Sequence, residues 1–259
     1  MKFIKINNRF IIKVFYSIIT VFMCFTSTIF AQGIPLNVGI ETFDPPFVIQ
    51  SANKELYGFD VDMMNNLCKI INRTCQFHVM RFEQLLDAVA TQKMDVAVSS
   101  ITITPQRSKL VNFSLPYLLS YSRFLERKST PNKPFSLALL NNKKIGLEKG
   151  TIFQDQLTAM GVKNPIIKEY NSVDDQLNAL SNKAVDIVLL DNATAIYWAS
   201  NSSDTFKLVG PAYKYGYGYG IAINPYETNL VTEINRALVQ YQNSIDYKQN
   251  YNRYFGFQN

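Results

Sequence analysis

Histidine is nearly missing from this sequence: among 259 residues, His78 is the only one. Cysteine is sparse too, with three residues, at positions 24, 68 and 75. Such a set has no recognisable metal-ligand spacing, so no metal is expected, and no cofactor. The same scarcity leaves no plausible nucleophile–base pair for covalent catalysis. His78 is read as an ordinary strand side chain. Also absent is a long Pro/Ser-rich linker between domains.

Acidic residues are missing from the first 31 positions, where Lys2, Lys5, Arg9 and Lys13 precede an uncharged apolar run over 14–30. Ala31 then offers a small residue for cleavage. Basic start, apolar middle and small exit read as a cleaved secretory signal peptide over 1–31. The competing reading is an uncleaved anchor, for which a run of roughly 17 residues is near the short limit. Cys24 follows bulky Met23 and is not read as a lipidation site. Removing this segment takes four basic residues and no acidic one, so the net charge falls from +6 to +2. Nucleic-acid binding thereby loses its support. Two cysteines remain, Cys68 and Cys75. An even count in an exported chain reads as one disulfide, with two reduced, buried thiols as the alternative.

What is present is an alternation of strand and helix patterns. Strands are predicted at 36–40, 75–80 and 95–100. Between them, 60–73 carries Val61, Met64, Cys68 and Ile71 on one helical face, and 82–93 carries Phe82, Leu85, Leu86 and Val89 at helical spacing. A second set follows, with strands at 144–148, 166–170 and 186–191 and helices at 152–160 and 172–183. The last helix opens on the capping pattern Ser172-x-x-Asp175. Such alternation implies parallel strands with crossover helices, an α/β fold.

The two sets echo each other. Placing 85–100 over 176–191 aligns Leu86 with Leu177, Val89 with Leu180, Asp95 with Asp186 and Ser100 with Asp191. Two similar lobes are expected rather than a single sheet; chance likeness of two amphipathic helices is the alternative. The tyrosine–glycine run "KYGYGYGIAINP" (214–225) reads as a strand with close backbone approaches, continued by Ile221, Ala222 and Ile223. Two helices finish the chain, the first with a stripe of Leu230, Ile234, Leu238 and Tyr241.

Ligands of open α/β sheets bind beyond the carboxyl ends of strands, and three segments qualify. In "SSITITPQR" (99–107), Ser99 and Ser100 end a strand, Thr104 and Pro105 suit a helix start, and Arg107 falls in its first turn. A guanidinium there suits a carboxylate, although an isolated arginine is more often solvated. In "LEKGTIF" (147–153), Gly150 allows a turn and Thr151 can cap the next helix, whose amides favour an anion. An ordinary strand–helix turn would look the same. Asp191 ends the apolar run "DIVLL", either as a helix cap or as the partner of a cation. Arginine and amides for an anion, with an aspartate for a cation, together describe an amino acid's α-carboxylate and α-ammonium.

These segments, with "GIETFDPPF" (39–47) and "GFDVDMMNNLCKIINRTC" (58–75), resemble in order and spacing the periplasmic amino-acid-binding proteins of ABC importers, in the branch for arginine, lysine, histidine and glutamine. The resemblance covers essentially all of the chain after the leader. It implies a type II periplasmic-binding fold, with two lobes of mixed sheets flanked by helices and two crossover strands as the hinge. Lobe one would comprise 33–123 and 215–259, and lobe two 124–214. It also implies a monomeric periplasmic protein that captures an amino acid by lobe closure and delivers it to a membrane permease.

The resemblance assigns roles residue by residue. Arg107 looks like the partner of the substrate carboxylate, helped by the amides of Thr102 and Ile152. Ser100 and Thr102 match acceptors of the α-ammonium, with Asp191 as countercharge; Ser99 and Thr151 are kept as site residues from the strand-end reading. Phe82 matches an aromatic wall, and Cys68 and Cys75 match the disulfide of the basic-amino-acid branch. Glu41 matches an acidic position facing the distal end of the substrate. Glu148 stands where relatives often carry an uncharged residue; if it does not point to solvent, two carboxylates would favour arginine or lysine over glutamine.

Departures remain. Asp44 replaces the aromatic usual before Pro-Pro, with Phe43 one position earlier and on the other face; Asp44 would then add a third negative group. Ile152 and Phe153 are unusual at their positions. Glutamine or another polar amino acid is the alternative ligand. A dehydratase-like enzyme on the same fold, or an amino-acid sensor domain, is the alternative function.

Overall fold

A computed structural model describes residues 33–202 and 204–256; the leader expected at 1–31 lies outside the described residues. The chain begins with β1 (Leu36–Ile40), β2 (Ile49–Gln50), β3 (Leu56–Tyr57), α1 (Phe59–Ile70), β4 (Cys75–Val79), α2 (Phe82–Ala90), β5 (Val96–Ala97) and β6 (Asn112–Phe113). It continues through β7 (Tyr121–Arg127), β8 (Lys144–Glu148), α3 (Phe153–Ala159), β9 (Ile166–Tyr170), α4 (Val173–Ser181), β10 (Ile187–Asp191), α5 (Asn192–Asn201) and β11 (Phe206–Lys214). It closes with β12 (Ala222–Ile223), α6 (Thr228–Gln242) and α7 (Ile245–Phe255).

Two five-stranded mixed sheets result, ordered β4-β1-β5-β12-β6 and β11-β7-β10-β8-β9. In each, three parallel strands are followed by one antiparallel neighbour: β12 against β5, and β7 against β10. The register matches as well. Val38 lies opposite Val96 and Gly39 opposite Ala97 in the first sheet; Ile145 lies opposite Ile187 and Gly146 opposite Val188 in the second. The architecture is therefore two-lobed α/β, as expected.

The internal repeat has a physical counterpart in these sheets. Asp95 accepts the amide of Asn37 at 2.7 Å, and its aligned residue Asp186 accepts the amide of Lys144 at 2.9 Å. Each carboxylate pins the start of the neighbouring parallel strand. The aligned helix positions Val89 and Leu180 are both fully buried. Strand alternation sorts the rest: Leu36, Val38 and Ile40 face a core shared with α1 and α6, while Gly39 lies against Leu85 and Met94. Leu230, Ile234, Leu238 and Tyr241 are all buried, so the stripe on α6 is the core face.

Local details settle several readings. Cys68 and Cys75 are disulfide-bonded, with Cα atoms 5.8 Å apart, tying α1 to β4. His78 sits in β4 with Nε2 3.0 Å from the Asn37 side-chain oxygen. Ser172 caps α4 by accepting the Asp175 amide at 3.2 Å. The tyrosine–glycine run forms regular strand only at Ala222–Ile223. Its close approaches are real: a Cβ at Gly216 would lie 2.4 Å from the Thr102 side chain, and one at Gly218 would lie 2.7 Å from the Leu118 carbonyl. Both glycines have positive φ, which breaks the strand that alternation suggested. Among the described residues, no helix is long and apolar enough to cross a membrane.

Candidate functional site

The carboxyl ends of the parallel strands of the two sheets face each other across one cleft. Glu41 follows β1, Ser99 and Ser100 follow β5, Glu148 ends β8 and Asp191 ends β10. Strand termini supply these groups because side chains there escape both the ladder and the helical layers.

Ser100 is the junction. Its backbone adopts φ 42°, rare for a residue with a Cβ. That turn aims its amide at Asp60, 2.8 Å away, and its hydroxyl at two carboxylates, Asp44 at 2.9 Å and Asp191 at 3.0 Å. Thr194 donates to the other oxygen of Asp44 at 2.6 Å. The Tyr219 hydroxyl lies 2.7 Å from the second oxygen of Asp191, and the Tyr117 hydroxyl 2.9 Å from Asp60. A serine hydroxyl carries one proton and can donate to one aspartate at a time. The other contact is satisfied when that aspartate is itself protonated and donates to the serine oxygen. The electrostatics agree. Burial pushes the Asp44 carboxyl up to about 6 against the opposing bonds from Thr194 and Ser100, and pushes Asp60 up to about 7. Asp191 rises to about 8, first through burial and then through Asp44.

Arg107 lies opposite, buried at 7 % exposure. Thr104 accepts the Arg107 amide at 3.2 Å, starting a single 3-10 turn over Arg107–Lys109 rather than the α-helix expected there. The guanidinium donates to the carbonyl of Thr102 at 2.8 Å and, across the cleft, to that of Gly150 at 2.9 Å. Its central carbon stands 5.5 Å from the centre of the Phe82 ring. Desolvation pulls its pKa down to about 10, so the group remains a cation at neutral pH. Its protein partners in these bonds are carbonyls, and among the described residues no carboxylate contacts its charge.

Glu41 and Glu148 are buried at 4 % and 7 % exposure. Burial drives both carboxyls well above the usual range; Glu148 then adds to the rise at Glu41, and Asp44 to the rise at Glu148. With Asp44, Phe82, Ser100, Gln176 and Asp191 they line a cavity of about 10 Å³. That is roughly the space of one water, so a larger solute enters only when the two sides part.

Residues 36–257 match the bacterial extracellular solute-binding proteins, family 3. The chain belongs to this family. The ABC transporter arginine-binding protein 1 of Escherichia coli is 32% identical over 209 residues, covering 78% of this chain and 83% of that protein. The L-arginine-binding protein of Pseudomonas aeruginosa is 30% identical over 239 residues, covering 88% and 90%. Among solved structures, an arginine 3rd transport system periplasmic binding protein from Legionella pneumophila aligns with a TM-score of 0.80 at 33% identity, covering 86% of this chain and all of that one.

In this solute-binding protein the cleft gathers Glu41, Asp44, Phe82, Ser100, Glu148, Thr151 and Asp191 around one cavity. Glu148 does not point to solvent. Asp191 occupies the N-cap position of α5 but makes no side-chain cap bond, spending its oxygens on Ser100 and Tyr219 instead. Thr102 engages Arg107 through its carbonyl, as noted. Ser99 is fully buried, and its hydroxyl is taken by the Glu41 amide at 3.0 Å. Thr151 does not cap α3: Ile152 holds the N-cap position, and the Thr151 hydroxyl donates to the Glu148 carbonyl at 2.7 Å. Gly150 makes the tight turn the sequence suggested, with positive φ, and α3 begins one residue later than expected. Ile152 is half-buried against the apolar core beside α3. Phe43 packs edge-on to Trp198, ring centres 6.1 Å apart, while Asp44 faces the cavity. Sequence reasoning missed Asp60, Thr194, Gln176 and Tyr219. The aligned repeat marked Ser100 and Asp191, but nothing in the sequence marks which helix residues reach them.

Proposed function

We propose that this solute-binding protein captures an amino acid with a cationic side chain, arginine foremost, in the periplasm and hands it to the permease of an ABC importer. The observation that carries this reading is the charge imbalance in the cleft. Glu41, Asp44, Asp60 and Glu148 are buried and Asp191 is half-buried, while Arg107 is the one buried lysine or arginine among the described residues. Buried carboxylates need protons, donors or cations, and hydroxyls alone do not neutralise this set. A ligand that brings two positive charges and one negative charge answers it.

In this reading Arg107 takes the α-carboxylate in a two-bond fork. Asp191 and Ser100 take the α-ammonium. Glu41, Asp44 and Glu148 face the distal cation, and Phe82 walls the aliphatic stem. The moving bodies are 33–123 with 215–259 and 124–214, acting in a monomer. The bonds from Arg107 to Gly150 and from Thr194 to Asp44 cross between them, so they belong to the closed form that a bound solute would favour. The role is capture without turnover; the family and the named arginine-binding relatives support it.

The test is thermal unfolding of the purified protein against the twenty amino acids and ornithine. A ligand present at a hundred times its Kd stabilises the fold by about 2.7 kcal/mol, a visible shift. Arginine, lysine or ornithine should produce it, and Arg107→Ala and Asp191→Ala should abolish it. A shift with glutamine alone would overturn the cationic reading, and no shift with any amino acid would overturn amino-acid capture.

A further inference from the structure

Gln176 differs from the other polar side chains around the cleft. It lies on α4, fully buried, above the parallel pair β8 and β10. Its side-chain nitrogen donates to the carbonyl of Gly146 at 2.8 Å and to that of Leu189 at 3.1 Å. These bonds use both N–H groups of the amide. They also fix its orientation, because a flipped amide would set Oε1 against two carbonyl oxygens. Among the described residues Oε1 has no hydrogen-bond partner, and Gln176 lines the same cavity as Glu41 and Glu148. A buried acceptor locked in direction and lacking a donor is costly to keep, and native interiors rarely do so without a use for it.

We propose that Gln176 is a specificity-determining residue whose Oε1 accepts an N–H from the cationic head of the bound amino acid. The inference rests on the reading of the cleft as a basic-amino-acid site. Its chemistry suits a guanidinium. That head carries five N–H donors in a plane, more than one or two carboxylates can meet, whereas an ammonium carries three. A neutral carbonyl oxygen satisfies a further donor without adding a negative charge to an already crowded acidic cluster. The two strand carbonyls hold it rigid, so its direction is set before the solute arrives.

The test compares two variants by titration calorimetry with L-arginine and L-lysine. Gln176→Met and Gln176→Glu both lose the bonds to Gly146 and Leu189, but only Gln176→Glu keeps an acceptor at the same reach. Gln176→Met should weaken arginine roughly tenfold or more, and lysine by less. Gln176→Glu keeps the acceptor but sets its second oxygen against the two strand carbonyls and adds a charge to the acidic cluster, so it should weaken arginine too, but by clearly less than Gln176→Met. Arginine affinity within twofold in Gln176→Met, equal losses for both ligands, or equal losses in both variants would overturn the assignment, since a purely structural amide predicts those results. A crystal structure of the unmodified protein with L-arginine gives an answer even if the variants do not fold. A ligand nitrogen within about 3.2 Å of Oε1 supports the proposal, and one beyond about 3.5 Å defeats it. If the unmodified protein binds arginine and these results fail, this inference alone falls; if it binds no basic amino acid, it falls with the function.

Discussion

Ser100 and Asp191, which the internal repeat places at corresponding positions, hydrogen-bond to each other at 3.0 Å across the cleft. Asp191 ends the third parallel strand of its sheet, and Ser100 follows shortly after the third of the other. The site is thus built where two similar units bring the same point of their topology together. The single proton of Ser100 goes to Asp191 or to Asp44 but not to both, which links the charge state of the two sides.

Affinity for a basic amino acid should rise with pH. Burial lifts Asp44 to about 6, Asp60 to about 7 and Asp191 to about 8, so the empty cleft holds protons in this range. A cationic ligand favours the ionised forms and expels those protons. Arginine binding measured from pH 5.5 to 8.5 should strengthen as pH rises, with proton release visible as a dependence on buffer ionisation enthalpy. A flat profile with no proton release would refute the linkage.

Stability of the ligand-free protein should move the other way. Acids whose folded pKa lies above the unfolded value of about 4 bind more protons when folded. Their contribution is fully present below pH 4 and is lost as pH climbs through the folded values of about 6, 7 and 8 for Asp44, Asp60 and Asp191. The unfolding midpoint without ligand should fall between pH 5 and 8, and Asp44→Asn should flatten that fall. A midpoint that rises across the interval would contradict the assignment.

Gly150→Ala should impair closure. Gly150 has φ +80°, and a Cβ there would stand 2.7 Å from the Cα of Glu83 on α2, across the cleft. A backbone atom cannot swing aside, and a left-handed alanine adds about 1–2 kcal/mol of strain. Arginine affinity should drop about tenfold, the equivalent of about 1.4 kcal/mol. Small-angle scattering with arginine should show a more open shape than that of the unmodified protein. Unchanged affinity would mean that the two sides need not approach this closely.

Reduction of Cys68–Cys75 should cost stability and spare the site. The bond spans a sequence separation of 7, so loop entropy predicts a loss of about 2–3 kcal/mol. Denaturant unfolding of Cys68→Ser/Cys75→Ser should report that loss while arginine affinity stays within a few-fold. A large loss of affinity would place the disulfide in the binding machinery.

Periodicity made most of the scaffold legible. Strands at Leu36–Ile40, Lys144–Glu148 and Ile166–Tyr170 fall where alternation and strand ends were expected, because burial of one face imposes a pattern on the residues themselves. Four helices of the two repeated units start within a residue of their predicted positions, but α2 ends at Ala90 and α4 at Ser181, two to three residues early. Those ends depend on left-handed turns at Gln92 and Lys183, residues that do not advertise positive φ. The site was half legible. Arg107, Ser100 and Asp191 stand at strand ends and turns, where position alone points to the cleft. Thr194, Tyr219 and Gln176 reach the same place from helix interiors and the second crossover, so only the packing of distant segments brings them in. Phe43 and Asp44 follow the alternation expected of them, one packing on Trp198 and the other facing the cavity.

The backbone passes between the sheets twice, from β6 to β7 and again from β11 to β12. Two bodies joined at two neighbouring points keep essentially one freedom, a swing about the line through those points. The bonds from Arg107 to Gly150, from Ser100 to Asp191 and from Thr194 to Asp44 all lie on the path of that swing. Under the proposed closure they would form together or break together, much as the teeth of a jaw meet on a single stroke. In the proposed function, occupancy of the cleft would thereby become an all-or-none change of outline, legible from outside by a partner that never touches the solute.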